Sequence, residues 1–337
     1  MKFRSSQDYL DSRPLSESLP WDSFAERAAG SHSENTLTKL RDFHRDGFVV
    51  LEQVIPCDLI DEFNEVVSTI LSNHTSFPEV LIDGTAQHRG RRLADLNEQQ
   101  LADSGLKLAT LDQQFGTALQ LALNTSVTEV LAAHFSGTPA LLQSLTFDRG
   151  SQQSVHQDFS YVNTQGQLAR LAASWIPLED IHQDSGPLEY YAGSHRVDKY
   201  GFFDWGGGSV IVSRDGTGQR STGEQYQEYL QESIQANGFE RHVFLPRKGD
   251  VLIWHGALIH GGTTVTDATQ TRKSFVCHYT SLESHPQVWR NELNGGVSFS
   301  IAAHKPLETR VTSLQKTGAE SRLKTRLRRM IRQFQKR

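Results

Sequence analysis

The first part of the chain repeats apolar residues with a helical period. Leu37, Leu40 and Phe43 recur at intervals of three, which places them on one face of a predicted helix. A second amphipathic helix is predicted from about residue 57 to residue 71, and the apolar run 48–51 between the two predicts a short strand. This part of the chain is therefore expected to be mostly helical.

From residue 139 onward the pattern changes to short apolar runs separated by Gly, Pro and Asp, which is typical of strands joined by turns. Helices first and many short strands later indicate a mainly β core that carries helices on one side. The predicted fold is a jelly roll, that is, a double-stranded β-helix of the cupin-like kind. The strand-like runs are "PALLQSLTFDRG" from 139, "LARLAASWIPLEDI" from 168, "ERHVFLPRKGDVLIW" from 240 and "RKSFVCHYTSL" from 272.

The same pattern divides the chain into one domain and two flanking segments. Residues 1–35 are polar and irregular and are expected to form an N-terminal extension. Residues 36–300 are expected to form a single jelly-roll domain with a helical N-terminal part. A Gly-rich stretch and a helix at about 203–240 indicate an insertion in that domain, and 301–337 form a C-terminal segment.

Composition narrows the class of protein. A hydrophobic content of 37% and a charged content of 22% suit a globular chain. No run of about 18 apolar residues predicts a spanning helix. Two distant cysteines, Cys57 and Cys277, make neither a zinc ribbon nor a disulfide framework. A cytoplasmic protein is the expectation.

Charge is unevenly distributed along the sequence. We call residues 320–337 the basic tail: it holds eight basic residues and one acidic residue, a net +7, so the rest of a chain of net −5 carries −12. Its apolar residues recur with a helical period, which predicts a basic amphipathic helix. Such a helix packs on the protein's own body, lies peripherally on the inner face of an anionic membrane, or binds another partner. No nucleic-acid partner is expected, because nothing else in the sequence resembles a base-reading module.

Three residues suggest a metal site. In an extended strand His156 and Asp158 project to the same side, and His260 follows far along the chain, just before a Gly-Gly pair. Two His and one carboxylate suit non-haem Fe(II), because the set leaves coordination positions open. A packed or solvent-facing role is the alternative for each. His255 lies five residues before His260 and would face the other way on a regular strand, so it is expected to be packed or to support the ligands from behind, and Trp254 is expected to be packed.

Several motifs in sequence carry a resemblance to a known family. They are "HRDGFVVLEQVI" at 44–55, "HQD" at 156–158, "SWIPLEDIHQDSGPLEYYAGSHR" at 174–196, and "KGDVLIWHGALIHGG" followed by "TRKSFVCHY" at 248–279. With these, the chain resembles the phytanoyl-CoA dioxygenase family of Fe(II)- and 2-oxoglutarate-dependent oxygenases over about residues 38–283. "HxD" alone is weak, whereas the motifs in this order are specific.

The resemblance implies roles for individual residues. It implies that Fe(II) is held by His156, Asp158 and His260, with 2-oxoglutarate and O2 as co-substrates. It implies that Arg272 binds the distal carboxylate of 2-oxoglutarate, assisted by Ser274 on the same strand face. Polar residues that line the co-substrate or substrate pocket are expected at Gln143 and Gln153.

The expected function is hydroxylation of a small or lipid-linked metabolite, because Asp158 stands where related halogenases have a small residue. The same oxidative chemistry with desaturation, cyclisation or epimerisation as its outcome is an alternative within enzymes. A second alternative is a non-enzymatic jelly roll that binds a ligand. The complete set of ligand residues with Arg272 argues against the latter.

Overall fold

The computed structural model describes residues 6–83, 91–102, 106–162, 164, 167–196, 223–284, 290–299 and 310–316. Helices occupy most of the chain before residue 136, as predicted, and one more lies in the predicted insertion. The α-helices are α1 (Ser6–Asp11), α2 (Leu15–Ser18), α3 (Trp21–Ala28), α4 (Glu34–Asp46), α5 (Cys57–Ser72), α6 (Glu98–Leu101), α7 (Gly116–Ala122), α8 (Thr125–Phe135) and α9 (Gly223–Asn237).

Two sheets, mostly antiparallel, form the β core. The larger sheet has the strand order β1-β8-β5-β10-β4-β12-β11, with β2 and β3 attached beside β4, and the smaller sheet has the order β7-β6-β9. The predicted mainly β core with flanking helices is thus confirmed. The strands are β1 (Phe48–Leu51), β2 (Leu81–Ile82), β3 (Lys107–Ala109), β4 (Pro139–Phe147), β5 (Ala172–Pro177), β6 (Leu188–Tyr191), β7 (Arg241–Phe244), β8 (Val251–His255), β9 (His260–Gly262), β10 (Ser274–Ser281), β11 (Arg290–Leu293) and β12 (Gly296–Phe299).

The central strand β10 shows how the two faces of the large sheet differ. Its residues alternate between a face that packs against the helices and a face that looks toward the small sheet. Phe275 and Cys277 belong to the apolar core shared with α4, α5, α7 and α8. Val276 belongs to the core between the two sheets, together with Tyr190 of β6 and Phe244 of β7. Side chains at even-numbered positions of β10 therefore face the space between the sheets.

The N-terminal segment differs from its predicted irregular structure, because it contains α1, α2 and α3. Tyr9 and Phe24 are buried at 2% and 5% exposure. Tyr9 packs beside Phe159, and Phe24 joins the core under α4. These helices are short and have few apolar residues, so their stability comes from contacts with the body rather than from a local pattern.

Some expectations fall on residues that the structure does not describe. They are the first part of the predicted insertion, within 197–222, and the whole basic tail 320–337. The division into segments stays a prediction. Within the described ranges, no helix is long and apolar enough to cross a membrane.

Candidate metal centre

A cavity of about 320 Å³ lies between the two sheets. Its walls come from β4, β5, β8 and β10 of the large sheet, β6 and β9 of the small sheet, and the segment 151–162. The predicted site residues His156, Asp158, His260, Arg272, Gln143 and Gln153 all line this cavity. The fold thus brings together residues that are up to 129 positions apart in sequence.

A short backbone pairing places the two histidines side by side. His156 and His260 form an isolated antiparallel bridge, with N–H···O distances of 2.8 and 3.0 Å in the two directions. Their ring centroids are 4.3 Å apart. A Cβ on Gly261 would lie 2.9 Å from the carbonyl oxygen of Gln153, so the close approach of these two segments requires glycine there.

Asp158 reaches the histidines from a turn rather than from a strand. It begins a single 3-10 turn, Asp158–Ser160, so the extended conformation considered for this stretch is wrong beyond residue 157. The carboxylate still points toward His156: its Oδ1 lies 3.7 Å from Nε2 of that ring and 3.5 Å from Nε2 of His260. The shared orientation was predicted correctly, although its backbone cause was not.

Hydrogen bonds fix which nitrogen of each ring faces the carboxylate. Nδ1 of His156 lies 2.8 Å from the carbonyl oxygen of Ser154, and Nδ1 of His260 lies 2.9 Å from that of Leu258. Each Nδ1 therefore carries the proton and donates to a carbonyl, which leaves the Nε2 lone pairs directed at Oδ1. The donor atoms of the three residues lie within 4.8 Å of one another. Two imidazoles, each with Nδ1 bonded to a carbonyl and Nε2 turned toward one carboxylate, fit a divalent metal ion.

The protonation states agree with this arrangement. Burial, reinforced by His260 and opposed by Asp158, lowers the pKa of His156 to about 3. Burial alone would raise the pKa of Asp158, but His260, His278 and His156 hold that pKa well below its usual value. At neutral pH the group therefore offers a neutral imidazole at His156 and a carboxylate at Asp158, the forms that bind metal.

Arg272 lies in the same cavity and is only 2% exposed. Its Nη1 donates to the carbonyl oxygen of Gly186 at 2.9 Å and its Nη2 to Oγ of Ser151 at 3.5 Å. Nε has no hydrogen-bond partner among the described residues, and no carboxylate in those ranges pairs with the guanidinium. Burial lowers the pKa of Arg272 to about 10, which still leaves it charged at neutral pH.

Ser274 is fully buried two residues further on, and its Oγ likewise lacks a hydrogen-bond partner in the described part of the chain. The alternation of β10 places it on the same face as Val276, which lines the cavity. A buried cation and an uncommitted hydroxyl on one face suit an anionic ligand with additional hydrogen-bond acceptors.

The two predicted glutamines contact the centre from different sides. Nε2 of Gln153 is 3.3 Å from Nε2 of His156, and its Oε1 accepts a hydrogen bond from Lys107 at 3.2 Å. Nε2 of Gln143 is 3.3 Å from Nδ1 of His278. Gln143 therefore touches the centre through a histidine that had no predicted role.

Two further residues contact Asp158. Trp254, predicted only to pack in the core, donates from Nε1 to Oδ2 of Asp158 at 2.7 Å. His278 places Nε2 at 3.4 Å from the same oxygen. The alternation that puts Ser274 and Val276 on one face of β10 also puts position 278 there, so the sequence contained a signal for His278.

A second carboxylate–histidine group lies outside the cavity. Glu17, His134 and His255 have donor atoms within 4.8 Å of one another. However, Nδ1 of His255 accepts the backbone N–H of Ala257 at 3.0 Å, so the ring proton is on Nε2, which lies 3.0 Å from Oε1 of Glu17. That nitrogen offers no lone pair, so His255 does not fit a metal ligand; it is packed away from His260, as predicted.

Two facing sheets with two imidazoles and a carboxylate between them define the class of jelly-roll proteins with a two-His, one-carboxylate centre. A sequence model of the phytanoyl-CoA dioxygenase (PhyH) family matches residues 43–274, more than half of the chain. The chain therefore belongs to the phytanoyl-CoA dioxygenase family, as its motifs indicated.

Individual relatives are distant. The zebrafish (Danio rerio) phytanoyl-CoA dioxygenase domain-containing protein 1 is 26% identical over 163 residues, which cover 46% of this chain and 48% of that protein. The chain thus matches about half the length of this curated relative.

Solved structures support the fold. The non-haem α-ketoglutarate-dependent carbocyclase SnoK from nogalamycin biosynthesis is 15% identical and has a TM-score of 0.52, with 74% of this chain and 84% of SnoK covered. EctD from S. alaskensis, solved with 2-oxoglutarate and 5-hydroxyectoine, is 17% identical and has a TM-score of 0.51, with 77% and 79% covered.

Proposed function

We propose that this protein is an Fe(II)- and 2-oxoglutarate-dependent oxygenase that hydroxylates a small or lipid-linked metabolite. One observation carries the proposal: a buried guanidinium, that of Arg272, shares a cavity with an oriented group of two imidazoles and a carboxylate, and no carboxylate of the described chain neutralises it. A cation that is buried without an opposite charge is costly, which argues that an anionic ligand completes the site.

His156, Asp158 and His260 would hold the iron from one side. Bound there, iron supplies the oxidising chemistry by which O2 and 2-oxoglutarate give succinate, CO2 and a hydroxylated C–H position. The three protein ligands leave coordination positions open for the co-substrate and for O2. The carbonyls of Ser154 and Leu258 keep both rings in the tautomer that this role needs.

Arg272 would bind the distal carboxylate of 2-oxoglutarate, with Ser274 donating a further hydrogen bond. The bonds to Gly186 and Ser151 hold the guanidinium in place before the ligand arrives, so little side-chain entropy is lost on binding. A planar guanidinium can bind a carboxylate through two parallel N–H···O bonds. The cavity walls exclude water from this ion pair and so strengthen it.

Hydroxylation is proposed as the outcome because the carboxylate of Asp158 is present and is contacted by Trp254 and His278. A carboxylate in this position occupies the place that a halide would need. Solved structures of similar fold include a carbocyclase and an epimerase, so the fold alone does not choose among oxidative outcomes. The cavity lies beside apolar residues of β4 and β5 as well as polar ones, which suits a small molecule that presents a C–H bond.

The test is consumption of 2-oxoglutarate by the purified full chain. Succinate formation is expected only with both Fe(II) and O2, and His156→Ala or His260→Ala is expected to abolish it. His182→Ala is the control, because His182 is half exposed and lies outside the cavity. Unchanged succinate formation in either ligand variant would remove the assignment, and screening metabolites for stimulated succinate formation would identify the substrate.

A further inference from the structure

The two carboxylate oxygens of Asp158 have different surroundings. Oδ1 is the oxygen nearest both iron-site histidines, at 3.5 and 3.7 Å from their Nε2 atoms. Oδ2 accepts a hydrogen bond from Nε1 of Trp254 at 2.7 Å and lies 3.4 Å from Nε2 of His278. Each oxygen is thus directed to a separate set of neighbours.

The strand pairing fixes the orientation of His278. His278 on β10 lies directly opposite Gln143 on β4, and Nε2 of Gln143 is 3.3 Å from Nδ1 of the ring. An amide NH2 group can only donate, so Nδ1 is the acceptor and the ring proton is on Nε2. Nε2–H then faces Oδ2 of Asp158. The ring is only 4% exposed and lines the same cavity as Asp158.

We propose that His278 is a positioning residue that, with Trp254, occupies Oδ2 of Asp158 and restricts this carboxylate to one-oxygen binding of the metal through Oδ1. The inference rests on the proposed function. If Oδ2 also turned to the metal, it would take one of the positions that the co-substrate and O2 need. Gln143 then acts indirectly, because its amide selects the tautomer of His278 that donates to Asp158.

The experiment uses the full chain, stripped of metal and titrated with Co(II) under nitrogen, because Co(II) reports its ligand number through its visible absorption. His278→Ala is expected to weaken Co(II) binding about 10- to 100-fold, the usual effect of losing a group that orients a metal ligand. The visible absorption of its bound Co(II) is expected to change, since a second oxygen of Asp158 alters the set of ligands. Trp254→Phe removes the other donor to Oδ2 and is expected to act in the same direction.

Two variants separate positioning from packing. His278→Gln keeps an N–H donor and is expected to restore most of the affinity and the absorption. Thr280→Val is the matched control: Thr280 is a fully buried residue on the same face of β10, it does not line the cavity, and the substitution is nearly isosteric. It is expected to leave both measurements unchanged. Melting temperatures of the metal-free variants show whether each one folds.

The outcomes distinguish this inference from the proposed function. If His260→Ala still binds Co(II) like the unmodified chain, the metal site itself is misplaced. If His260→Ala loses Co(II) but His278→Ala and Trp254→Phe keep full affinity and the same spectrum, the metal site stands and the role of His278 is wrong. The role is equally wrong if His278→Gln, folded at the same melting temperature, binds no better than His278→Ala.

Discussion

At the scale of single residues, a buried guanidinium that no carboxylate of the described residues neutralises is unusual. Arg272 has two hydrogen bonds to neutral oxygens. The guanidinium carbon Cζ lies 5.7 Å from the ring centroid of Phe147 and 5.8 Å from that of Trp175. Neutral acceptors and aromatic faces offset only part of the cost of taking a cation out of water. The residue is therefore better explained by a ligand that arrives than by the stability of the free protein.

Replacement of Arg272 by Ala is expected to raise the 2-oxoglutarate concentration needed for half-maximal succinate formation. A hydrogen bond to a charged group is worth about 1.5–3 kcal/mol, which corresponds to about a 10- to 100-fold loss of affinity. Lys273→Ala is the control, since the neighbouring side chain does not line the cavity. Equal 2-oxoglutarate requirements in the two variants would contradict the role of Arg272.

The positions of candidate site residues could be predicted from the sequence where they follow from strand alternation or from motifs. Arg272 and the metal-ligand candidates are of this kind, and all of them line one cavity. The contact of Trp254 with Asp158 could not be predicted, because it joins residues 96 positions apart through a turn that only tertiary packing forms. Glu17 could not be placed either, since nothing in its local pattern connects it to His255.

At the scale of elements, the centre depends on the close approach of β9 to the segment before His156. Gly261→Ala is expected to force these two backbones apart, because its Cβ would lie 2.9–3.1 Å from atoms of Gln153 and Val155. We expect a loss of about 1–3 kcal/mol in the free energy of unfolding, as for other overpacked sites, and weaker Co(II) binding.

The matched control is Gly137→Ala, where the nearest atom to the new Cβ is 3.9 Å away. Urea unfolding and Co(II) titration of both variants provide the comparison. Equal stability and equal Co(II) affinity in the two would show that β9 does not depend on this contact.

The docking of α2 on the body brings one carboxylate among several buried histidines. Four histidines surround Glu17: His44 on α4, His134 on α8, His195 after β6, and His255 on β8. Burial is the main reason that the pKa of His44 is lowered to about 4 and that of His195 to about 3, and it also lowers the pKa of His134. For Glu17, burial alone would raise the pKa, but His255 and the other histidines hold it below its usual value.

These shifts predict that acid destabilises the folded protein. Below about pH 6.5 the unfolded chain protonates His44, His134 and His195, whereas the folded chain keeps them neutral until the pH reaches their lowered pKa values. The free energy of unfolding therefore falls as the pH is lowered. Each such histidine contributes up to about 1.4 kcal/mol per pH unit until its folded pKa is reached. Protonation of Glu17 lowers the free energy of unfolding further once the pH drops below about 4.5, the pKa of this carboxyl in the unfolded chain.

Urea unfolding of the metal-free chain between pH 7.5 and pH 4.5 measures this slope. His134→Phe is expected to lower the number of protons taken up on unfolding by up to one, which makes the slope shallower. Both ring nitrogens of His134 lack hydrogen-bond partners among the described residues, so the folded protein does little to stabilise its protonated form. The half-exposed His182 supplies the control variant, His182→Ala, which is expected to keep the slope. An unchanged slope in His134→Phe would contradict the linkage.

At the scale of the whole molecule, charge is separated between the basic tail and the remainder. The tail holds +7 and the rest of the chain −12, and the tail lies beyond the family match, which ends at residue 274. Near an anionic membrane surface each Lys or Arg contributes about 1 kcal/mol, so eight of them would hold a peripheral protein there, whereas the acidic remainder would be repelled. The same charges would also attract the tail to the protein's own body.

Binding to vesicles with and without anionic lipid decides between these alternatives. We expect the full chain to bind anionic but not neutral vesicles, to release as salt is raised, and to lose binding when 320–337 are deleted. A variant with Leu323, Leu327 and Phe334 changed to Ser keeps every charge and shows how much the apolar stripe contributes. Binding that survives the deletion would place the contact elsewhere on the chain. Absence of binding by the full chain would instead favour docking of the tail on the acidic body or binding of the tail to another partner.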